Sequence, residues 1–347
     1  MNRSGISRIA VLVGLLIVAA VVVAVVALMR IDVTGQKGSG LGSEFDYDLE
    51  QMGRIDPELI LYQESAESIS TGFERARAIA VGPGDKVYVA GDKAIRVFER
   101  AGVLAGEILL ADAPTCLTID TDGNIYAGVA DHVEVHGDSV GKNATTWPGL
   151  GEKTVLTSIA VVGNDIYVAD AGNRVVIRYN ATGKLVNRIG QKDRQRGIDG
   201  FVVPSPNFDL AVADDGLLRV VNPGWHRIEA YTPEGDLEFW WGKFSMKIDG
   251  FCGCCNPTNF AMLADGSFIT SEKGLTRVKI YDPQGKFVGV VAGPQRLLGH
   301  GDSSVCKTVA ECQQSSFDVA VDSAGRILVL DTLRNEVRVF VRKKANS

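Results

Sequence analysis

Short apolar stretches that alternate with turn residues recur along most of this chain. One copy begins with Ala78-Ile79-Ala80-Val81 and continues, after a turn, into a second apolar run at Val87-Tyr88-Val89. Six such copies are present, and they begin at Ala78, Cys116, Ser158, Asp209, Asn259 and Asp318. Their third residues are 38, 42, 51, 50 and 59 positions apart. A period of roughly 40–50 residues with strand-like contents is typical of a propeller or another repeat array.

Each of the first five copies predicts four β-strands. Residues such as Asp122-Gly123-Asn124 follow the first strand, and Gly, Asn and Asp are favoured in hairpin turns because they tolerate positive φ. The third strand alternates apolar and polar residues, as in Val278-Lys279-Ile280-Tyr281, which indicates one buried face. A second Gly turn then leads to a fourth strand, such as Phe287–Val291. Four antiparallel strands form one blade of a β-propeller.

The two ends of the repeat region complement each other. The sixth copy stops after its third strand, at Phe340-Val341, and an additional strand is predicted at residues 58–63, before the first copy. We therefore expect Leu59–Tyr62 to complete the last blade, because this removes two exposed strand edges. The predicted fold class is all-β, a six-bladed β-propeller closed by an N-terminal strand.

The N-terminus has a different pattern. Residues 9–29 carry no charge and, as a helix, would span about 31 Å, the thickness of a bilayer core. Arg3 and Arg8 precede this segment, so the positive-inside tendency places the N-terminus in the cytoplasm and the propeller in the periplasm or outside. A cleaved signal peptide is the alternative, although its apolar core is usually only about 7–15 residues long.

These patterns divide the chain into five segments. We predict a cytoplasmic N-terminus at 1–8, a transmembrane signal-anchor helix at 9–29, a flexible tether at 30–57, the propeller at 58–342 and a basic tail at 343–347. The tether contains the Gly- and Ser-rich stretch 35–43, a composition that favours a flexible chain. The predicted location is therefore the cytoplasmic membrane, crossed once.

The third copy resembles a known repeat. Its residues Ser158-Ile159-Ala160-Val161, Asp165–Val175, Tyr179 and Gly183-Lys184 are similar to an NHL repeat, and the units at 260–287 and at the C-terminus are similar to it. The resemblance covers roughly residues 58–342. It implies a six-bladed propeller whose relatives are mostly binding platforms, with a minority of metal-dependent lyases and hydrolases. The segment Cys252–Pro257 resembles that of membrane-anchored bacterial NHL proteins with no assigned activity.

Five of the six cysteines fall in two loops of neighbouring blades. Both loops join a fourth strand to the next first strand, so they should lie on one face, where they bring together Cys252, Cys254, Cys255, Cys306 and Cys312. In an oxidising compartment, two disulfides between the loops would leave one thiol over. Four thiolates would instead suit an iron–sulfur cluster or another metal. A reactive or lipid-modified thiol is the third possibility, and Cys116 is expected in the core.

Three histidines are also predicted on this face, namely His132, His226 and His300. They could bind zinc, as in the amidating lyases of this superfamily, or they could be ordinary solvated loop residues, while His136 is expected at the surface. The candidate binding face comprises Trp225, His226, Arg174 and Lys273. Core or loop packing is the favoured interpretation of Trp225, with a ligand contact as the alternative, and the loop Asp170–Arg174 is expected to tie neighbouring blades together.

The net charge and the absence of several sequence motifs reduce the number of functional classes that fit the chain. The chain beyond residue 30 carries 33 basic and 42 acidic residues, which disfavours nucleic acid as a partner. Phosphate-loop, dinucleotide-binding, serine-hydrolase and haem-attachment motifs are absent from the sequence. The expected function is a binding or assembly module that presents the cysteine face to a protein partner, as an accessory to a membrane complex. The alternatives are a redox subunit with a metal–sulfur centre and a metal-dependent lyase or hydrolase, so catalytic activity stays an open question.

Overall fold

The computed structural model describes residues 8–30, 49–137, 144–299 and 316–344, in two units, Met1–Asp48 and Leu49–Ser347. The first unit contains helix α1 (Arg8–Arg30). Side chains of this helix are described for residues 11–23 and 25. Within the described residues, no helix has the length and apolar character needed to cross a membrane. The transmembrane anchor therefore stays a prediction.

The second unit begins with helix α2 (Leu49–Gly53), inside the range predicted to be a tether, and a 3-10 turn at Pro57–Leu59. Strand β1 (Tyr62–Ser70) follows. Blade 1 comprises β2 (Ala76–Val81), β3 (Val87–Gly91), β4 (Ala94–Phe98) and β5 (Leu104–Leu109). Blade 2 comprises β6 (Pro114–Ile119), β7 (Ile125–Val129), β8 (His132–His136) and β9 (Thr145–Thr146). Blade 3 comprises β10 (Leu156–Val162), β11 (Asp165–Asp170), β12 (Val175–Asn180) and β13 (Leu185–Ile189).

The remaining three blades continue the same order. Blade 4 comprises β14 (Leu210–Val212), β15 (Leu218–Asn222), β16 (Arg227–Tyr231) and β17 (Leu237–Trp241). Blade 5 comprises β18 (Asn259–Met262), β19 (Phe268–Glu272), β20 (Arg277–Tyr281) and β21 (Phe287–Ala292). Helix α3 (Pro294–Leu298) follows, and then blade 6, which comprises β22 (Asp318–Val321), β23 (Ile327–Asp331), β24 (Glu336–Arg342) and the N-terminal strand β1. Further 3-10 turns lie at Pro83–Asp85 and Pro223–Trp225.

The six sheets form a closed ring. Each sheet is four-stranded and antiparallel, and the first strand of each blade contacts the first strands of the two neighbouring blades, including β22 with β2. The predicted six-bladed β-propeller is therefore confirmed. Because the second and third strands of a blade are covered by neighbouring blades on both sides, strands such as β3, β7 and β15 are buried at every position.

The ring is closed by an N-terminal strand, but not at the predicted residues. Strand β1 pairs antiparallel with β24, from Tyr62 opposite Arg342 to Ser70 opposite Glu336. The predicted strand at Leu59–Tyr62 was placed too early, because Pro57 opens a turn that Asp56 caps by accepting a hydrogen bond from the Glu58 N–H. The apolar residues there misled the prediction, since an outermost strand is half exposed and can be as polar as residues 63–68.

Glycine turns shape the packing of blade 3 against blade 4 and of blade 4 against blade 5. The last residue of the fourth strand, Ile189 or Trp241, fits against a turn of the next blade, where Gly235 or Gly285 has a positive φ. Gly285 has φ +77°, and a Cβ at that position would lie 2.3 Å from the Trp241 ring. Trp241 thereby reaches the rings of Phe268 and Tyr281 in blade 5, at 4.8 and 4.9 Å between centroids.

The antiparallel order also defines two faces of the disc. Loops from second to third strands, and from fourth strands to the next first strand, lie on one side, which we call the upper face. The other connections lie on the lower face. The loops that contain Cys252, His226, Lys273 and Arg174 therefore all belong to the upper face, as the sequence predicted.

Candidate functional site

The candidate site rests on the second and third strands of blade 5. Every residue of β19 and β20 is buried. Glu272 ends β19 and pairs with Arg277, the first residue of β20, and Lys279 follows two positions later on the same side of the strand. The register therefore brings one carboxylate and two cations together beneath the loop 242–258, which enters blade 5.

The Glu272 carboxylate binds both cations. Its Oε2 accepts hydrogen bonds from Nη2 and Nε of Arg277 at 2.5 and 3.1 Å, and its Oε1 contacts Nζ of Lys279. Lys279 Nζ also donates to the backbone oxygens of Ile248 and Gly250, at 3.1 and 2.6 Å. The ammonium thus holds the main chain of the entry loop directly before the cysteines.

Cys252 is part of the same buried cluster. Its Sγ lies 3.2 Å from Nη2 of Arg277 and 4.0 Å from Oε2 of Glu272. Burial raises the pKa of the Cys252 thiol, and the Arg277 charge opposes this. Burial also lowers the pKa of Lys279 to about 8, although the Glu272 carboxylate acts in the opposite direction. Two cations thus face one carboxylate, and the Cys252 sulfur lies beside the Arg277 guanidinium.

The side chain of Asn256 fixes the end of the cysteine segment. Its Nδ2 donates to the backbone oxygens of Cys252 and Lys273, at 2.6 and 3.0 Å, and its Oδ1 accepts from the Lys273 N–H at 2.9 Å. The segment between these ties is turned outward at Gly253, where φ is +80°. As a result, the residues 253–255 form a short projection held at both ends.

Two adjacent thiols occupy this projection. Cys254 is exposed, whereas Cys255 is only 3% exposed. Their Sγ atoms are 3.3 Å apart. The contact with Cys255 and partial burial raise the pKa of Cys254, while the nearby Lys273 ammonium opposes the shift. Lys273 is itself positioned by a 2.9 Å hydrogen bond from its Nζ to Ser205 Oγ.

An aromatic surface adjoins the thiols on blade 4. We call it the blade-4 patch, and it consists of Trp225, Trp240 and Phe244, which are 49%, 52% and 59% exposed. The guanidinium of Arg227 lies 4.8 Å from the Trp240 ring centroid and 5.5 Å from that of Trp225, and Nε of Arg227 is fixed by Glu229 at 2.6 Å. Such cation–π contacts favour one arrangement of the two indoles.

His226 connects the patch to the cysteine loop. Its Nδ1 lies 3.2 Å from the backbone oxygen of Asn256, and its ring centroid lies 5.1 Å from that of Phe244. The predicted binding residues Trp225, His226 and Lys273 therefore belong to one continuous region of blades 4 and 5. Arg174 is exposed on blade 3, in another loop of the upper face.

The other predicted histidine and cysteine positions are separate from this region or outside the described residues. His132 lies on blade 2, with its ring nitrogens 3.4 Å from Asp131 and from Glu134. His136 is buried rather than at the surface, and its Nε2 lies 3.1 Å from Oε2 of Glu134 on the same strand. His300, Cys306 and Cys312 lie outside the described residues.

The metal and disulfide predictions can thus be compared with the structure only for those predicted histidines and cysteines that it describes. Among the described residues, no group of three His, Cys, Asp or Glu side chains could hold a metal ion. The four described cysteines, Cys116, Cys252, Cys254 and Cys255, form no disulfide with one another. Bridges or a thiolate centre that involve Cys306 or Cys312 stay predictions.

A polar ring around the central channel was not anticipated from the sequence. In four of the six copies the first residue of the repeat phrase ties its blade to the next by a hydrogen bond, namely Ser158, Asp209, Asn259 and Asp318. Oδ2 of Asp209 accepts from the Phe260 N–H at 2.7 Å, and Oδ2 of Asp318 accepts from the Ile79 N–H at 2.9 Å. The channel has a volume of about 1400 Å³. Burial raises the pKa of Asp209 to about 6 and that of Asp318 to about 7.

Sequence reasoning also missed the roles of Glu272, Arg277 and Lys279. The alternation in Val278-Lys279-Ile280-Tyr281 was interpreted as a strand with one buried face and one more exposed face, since charges are normally solvated. A signal was nevertheless present, because the middle of the third strand is charged in five of the six blades, at Arg96, Glu134, Glu229, Lys279 and Arg338. Repeated charge at one structural position indicates burial against a polar loop.

Comparisons with known proteins identify the fold. No family model matches the chain, and no curated protein matches it. The solved structure of a streptogramin B lyase matches 83% of this chain and 100% of its own, with a TM-score of 0.55 and 12% sequence identity. A catalytically inactive virginiamycin B lyase from Staphylococcus aureus with quinupristin matches 77% of this chain and 80% of its own, with a TM-score of 0.51 and 13% identity. At such identities the similarity establishes the fold alone.

Proposed function

We propose that this protein is a binding module whose recognition surface is the upper face of blades 4 and 5. The observation that carries the proposal is the blade-4 patch, a set of three large aromatic side chains about half exposed beside an exposed thiol. Contiguous exposed apolar patches mark interaction sites, and tryptophans are frequent among the residues that dominate binding.

The contacts that hold this surface from beneath support the proposal. Lys279 holds the loop carbonyls of Ile248 and Gly250, Asn256 holds the cysteine segment, and Arg227 holds the two indoles. A surface fixed before the partner arrives loses less side-chain and loop freedom on binding, so more of the contact energy appears as affinity. The partner would be a protein that presents apolar groups to the indoles.

The predicted N-terminal anchor gives this surface a cellular setting. With residues 9–29 in the cytoplasmic membrane and the propeller outside the cytoplasm, the module would act beside the membrane, as an accessory to a membrane complex. The acidic balance of the chain beyond residue 30 agrees with a protein partner rather than nucleic acid.

Site-specific photo-crosslinking in intact cells tests the proposal. A photoreactive phenylalanine analogue at Trp225 should give a discrete crosslinked product, and Trp240→Ala in the same chain should abolish it. The matched control is the same analogue at Val162, an exposed position that ends the first strand of blade 3 on the lower face. Equal crosslinking from both faces, or a product at Trp225 that is insensitive to Trp240→Ala, would contradict the proposal.

A redox or metal–thiolate subunit is the second candidate function. It is favoured by the Arg277 guanidinium 3.2 Å from the Cys252 Sγ, since a nearby cation stabilises a thiolate ligand. The three described loop thiols would need Cys306 or Cys312 to complete a four-thiolate site. Metal analysis of the purified full chain distinguishes the two functions: stoichiometric iron or zinc that is lost on Cys252→Ser would favour the metal centre.

A further inference from the structure

The adjacent thiols of Cys254 and Cys255 differ from the other cysteines in their surroundings. Cys116 is fully enclosed, and Cys252 is turned toward Arg277 and Glu272. Cys254 and Cys255 instead contact each other, with their sulfurs 3.3 Å apart, at the outward tip of a loop held at both ends. One of the two sulfurs is exposed to solvent and the other is buried behind it.

We propose that Cys254 and Cys255 form a redox-active pair that closes reversibly to a disulfide between neighbouring residues, by exchange with low-molecular-weight disulfides. The proposal is independent of the binding function. It requires that the two sulfurs approach from 3.3 Å to about 2.05 Å, the length of a disulfide bond, with strain in the backbone that joins the two residues. The Asn256 ties lie outside the pair, so they can hold the ends of the segment while the bond forms.

The exposures assign an order to the two sulfurs. The Cys254 thiolate attacks a disulfide R–S–S–R, which forms a mixed disulfide on Cys254 and releases one thiol R–SH after protonation. The Cys255 thiolate then attacks the Cys254 sulfur and displaces the second R–SH, which leaves the bond between the two cysteines. The protein thus loses two electrons and two protons to the external disulfide, and the reverse reaction restores both thiols.

Covalent geometry makes this disulfide a labile one. Adjacent Cα atoms are about 3.8 Å apart, whereas the Cα atoms of ordinary disulfides are about 4.4–6.8 Å apart. Strained and exposed disulfides are reduced more easily than structural ones, and they are the regulatory or catalytic ones. The pair would therefore respond to changes in the thiol–disulfide balance around the upper face while the rest of the fold stays intact.

Mass spectrometry of the purified full chain after incubation with oxidised glutathione tests the proposal. Trypsin releases the peptide 248–273, which contains Cys252, Cys254 and Cys255, and it separates Cys306 from Cys312 by cleavage after Lys307. We expect this peptide to lose the mass of two hydrogens and to keep one thiol, at Cys252, that can be alkylated. When reduced glutathione is added, the other two thiols should be the first in the chain to be regained.

Two single variants distinguish the pair from a simple exposed thiol. Cys255→Ser should trap the mixed disulfide, so that Cys254 carries one glutathione, whereas Cys254→Ser should carry none because Cys255 is buried. Both variants are close in size to the native chain and should fold. The proposal is overturned if peptide 248–273 becomes linked to the peptides of Cys306 or Cys312, if Cys254 and Cys255 both stay reduced, or if both variants carry glutathione equally.

Discussion

Blades 3 and 5 fill equivalent buried positions with side chains of different chemistry. At equivalent positions of the second and third strands, blade 3 has Asp170, Val175 and Ile177, whereas blade 5 has Glu272, Arg277 and Lys279. In blade 3 the valine and isoleucine join an apolar cluster with Trp147 and Tyr179. In blade 5 the same positions carry two buried cations that share one carboxylate.

The difference changes what each blade does with its entry loop. Asp170 in blade 3 accepts hydrogen bonds from Val155 N–H and from Asn173, so a carboxylate alone ties the end of the entry loop to the turn. Lys279 in blade 5 holds a loop by its carbonyl oxygens, and Arg277 reaches Cys252. An apolar interface is tolerant because each contact is small, whereas an ionic cluster depends on every member. We therefore expect the ionic cluster of Glu272, Arg277 and Lys279 beneath the cysteines to be sensitive to substitution.

Among changes to the ionic cluster, the largest effect is expected from Glu272→Gln. The substitution leaves two buried cations without a counter-charge, so we expect a loss of about 3–5 kcal/mol in the free energy of unfolding. The matched control is Asp170→Asn in blade 3, which removes one acceptor and should cost about 1–2 kcal/mol. Urea denaturation of both variants checks this prediction. Equal losses would mean that the ionic cluster is no more sensitive than the turn.

A smaller effect is expected from Lys279→Met. The backbone oxygens of Ile248 and Gly250 lose their donor, which should cost about 1–3 kcal/mol at neutral pH. The Glu272–Arg277 pair is retained, so the loss should stay below that of Glu272→Gln. Amide exchange at residues 248–255 should also accelerate in this variant and not in Asp170→Asn.

The pH dependence of the same variant sharpens the comparison. The pKa of Lys279 is lowered from 10.5 to about 8, so between these values the unfolded chain holds more protons than the folded one. The stability of the native chain should therefore rise with pH in this window, relative to Lys279→Met. Unfolding free energies of both chains at about pH 7.5 and about pH 9.5 measure the difference. Parallel changes in the two chains would contradict the lowered pKa.

The channel acids offer a further comparison, between blades 5 and 6. Asn259 occupies in blade 5 the position that Asp318 occupies in blade 6. Burial raises the pKa of Asp318 from 3.8 to about 7, so its contribution to stability is complete below the lower value and is lost as pH rises through the higher one. From about pH 5 to about pH 8, the native chain should lose about 1 kcal/mol or more relative to Asp318→Asn. If the two chains show no such difference, the Asp318 carboxyl lies in a solvated site rather than a buried one.

The smallest effect on stability is expected from Trp225→Ala. The side chain is about half exposed, so its removal should change the unfolding free energy by about 0.5 kcal/mol or less. Trp241→Ala, which empties a site among Phe268 and Tyr281, should cost about 3–5 kcal/mol. Thermal or urea unfolding of the two variants tests the contrast. A large loss for Trp225→Ala would make it a packing residue rather than a binding one.

Much of the architecture could be predicted from the chain. The repeat spacing indicated six blades, the missing last strand indicated closure from the front, and loop order placed Cys252, His226 and Lys273 on one face. The closing strand itself was wrongly placed, because an outermost strand needs little hydrophobicity and residues 63–68 are polar. A membrane anchor and the pairing of Cys306 and Cys312 remain predictions.

The sequence by itself determined the number of strands, their order and the face on which each loop lies, since these depend on local alternation and turn residues. Only the tertiary structure decided which charges are buried together and which thiols meet. Glu272, Arg277 and Cys252 approach one another through strand register and an entry loop, and a linear pattern carries no record of such distances. Contacts between blades arise only when the ring closes, so their energies depend on neighbours that are distant along the chain.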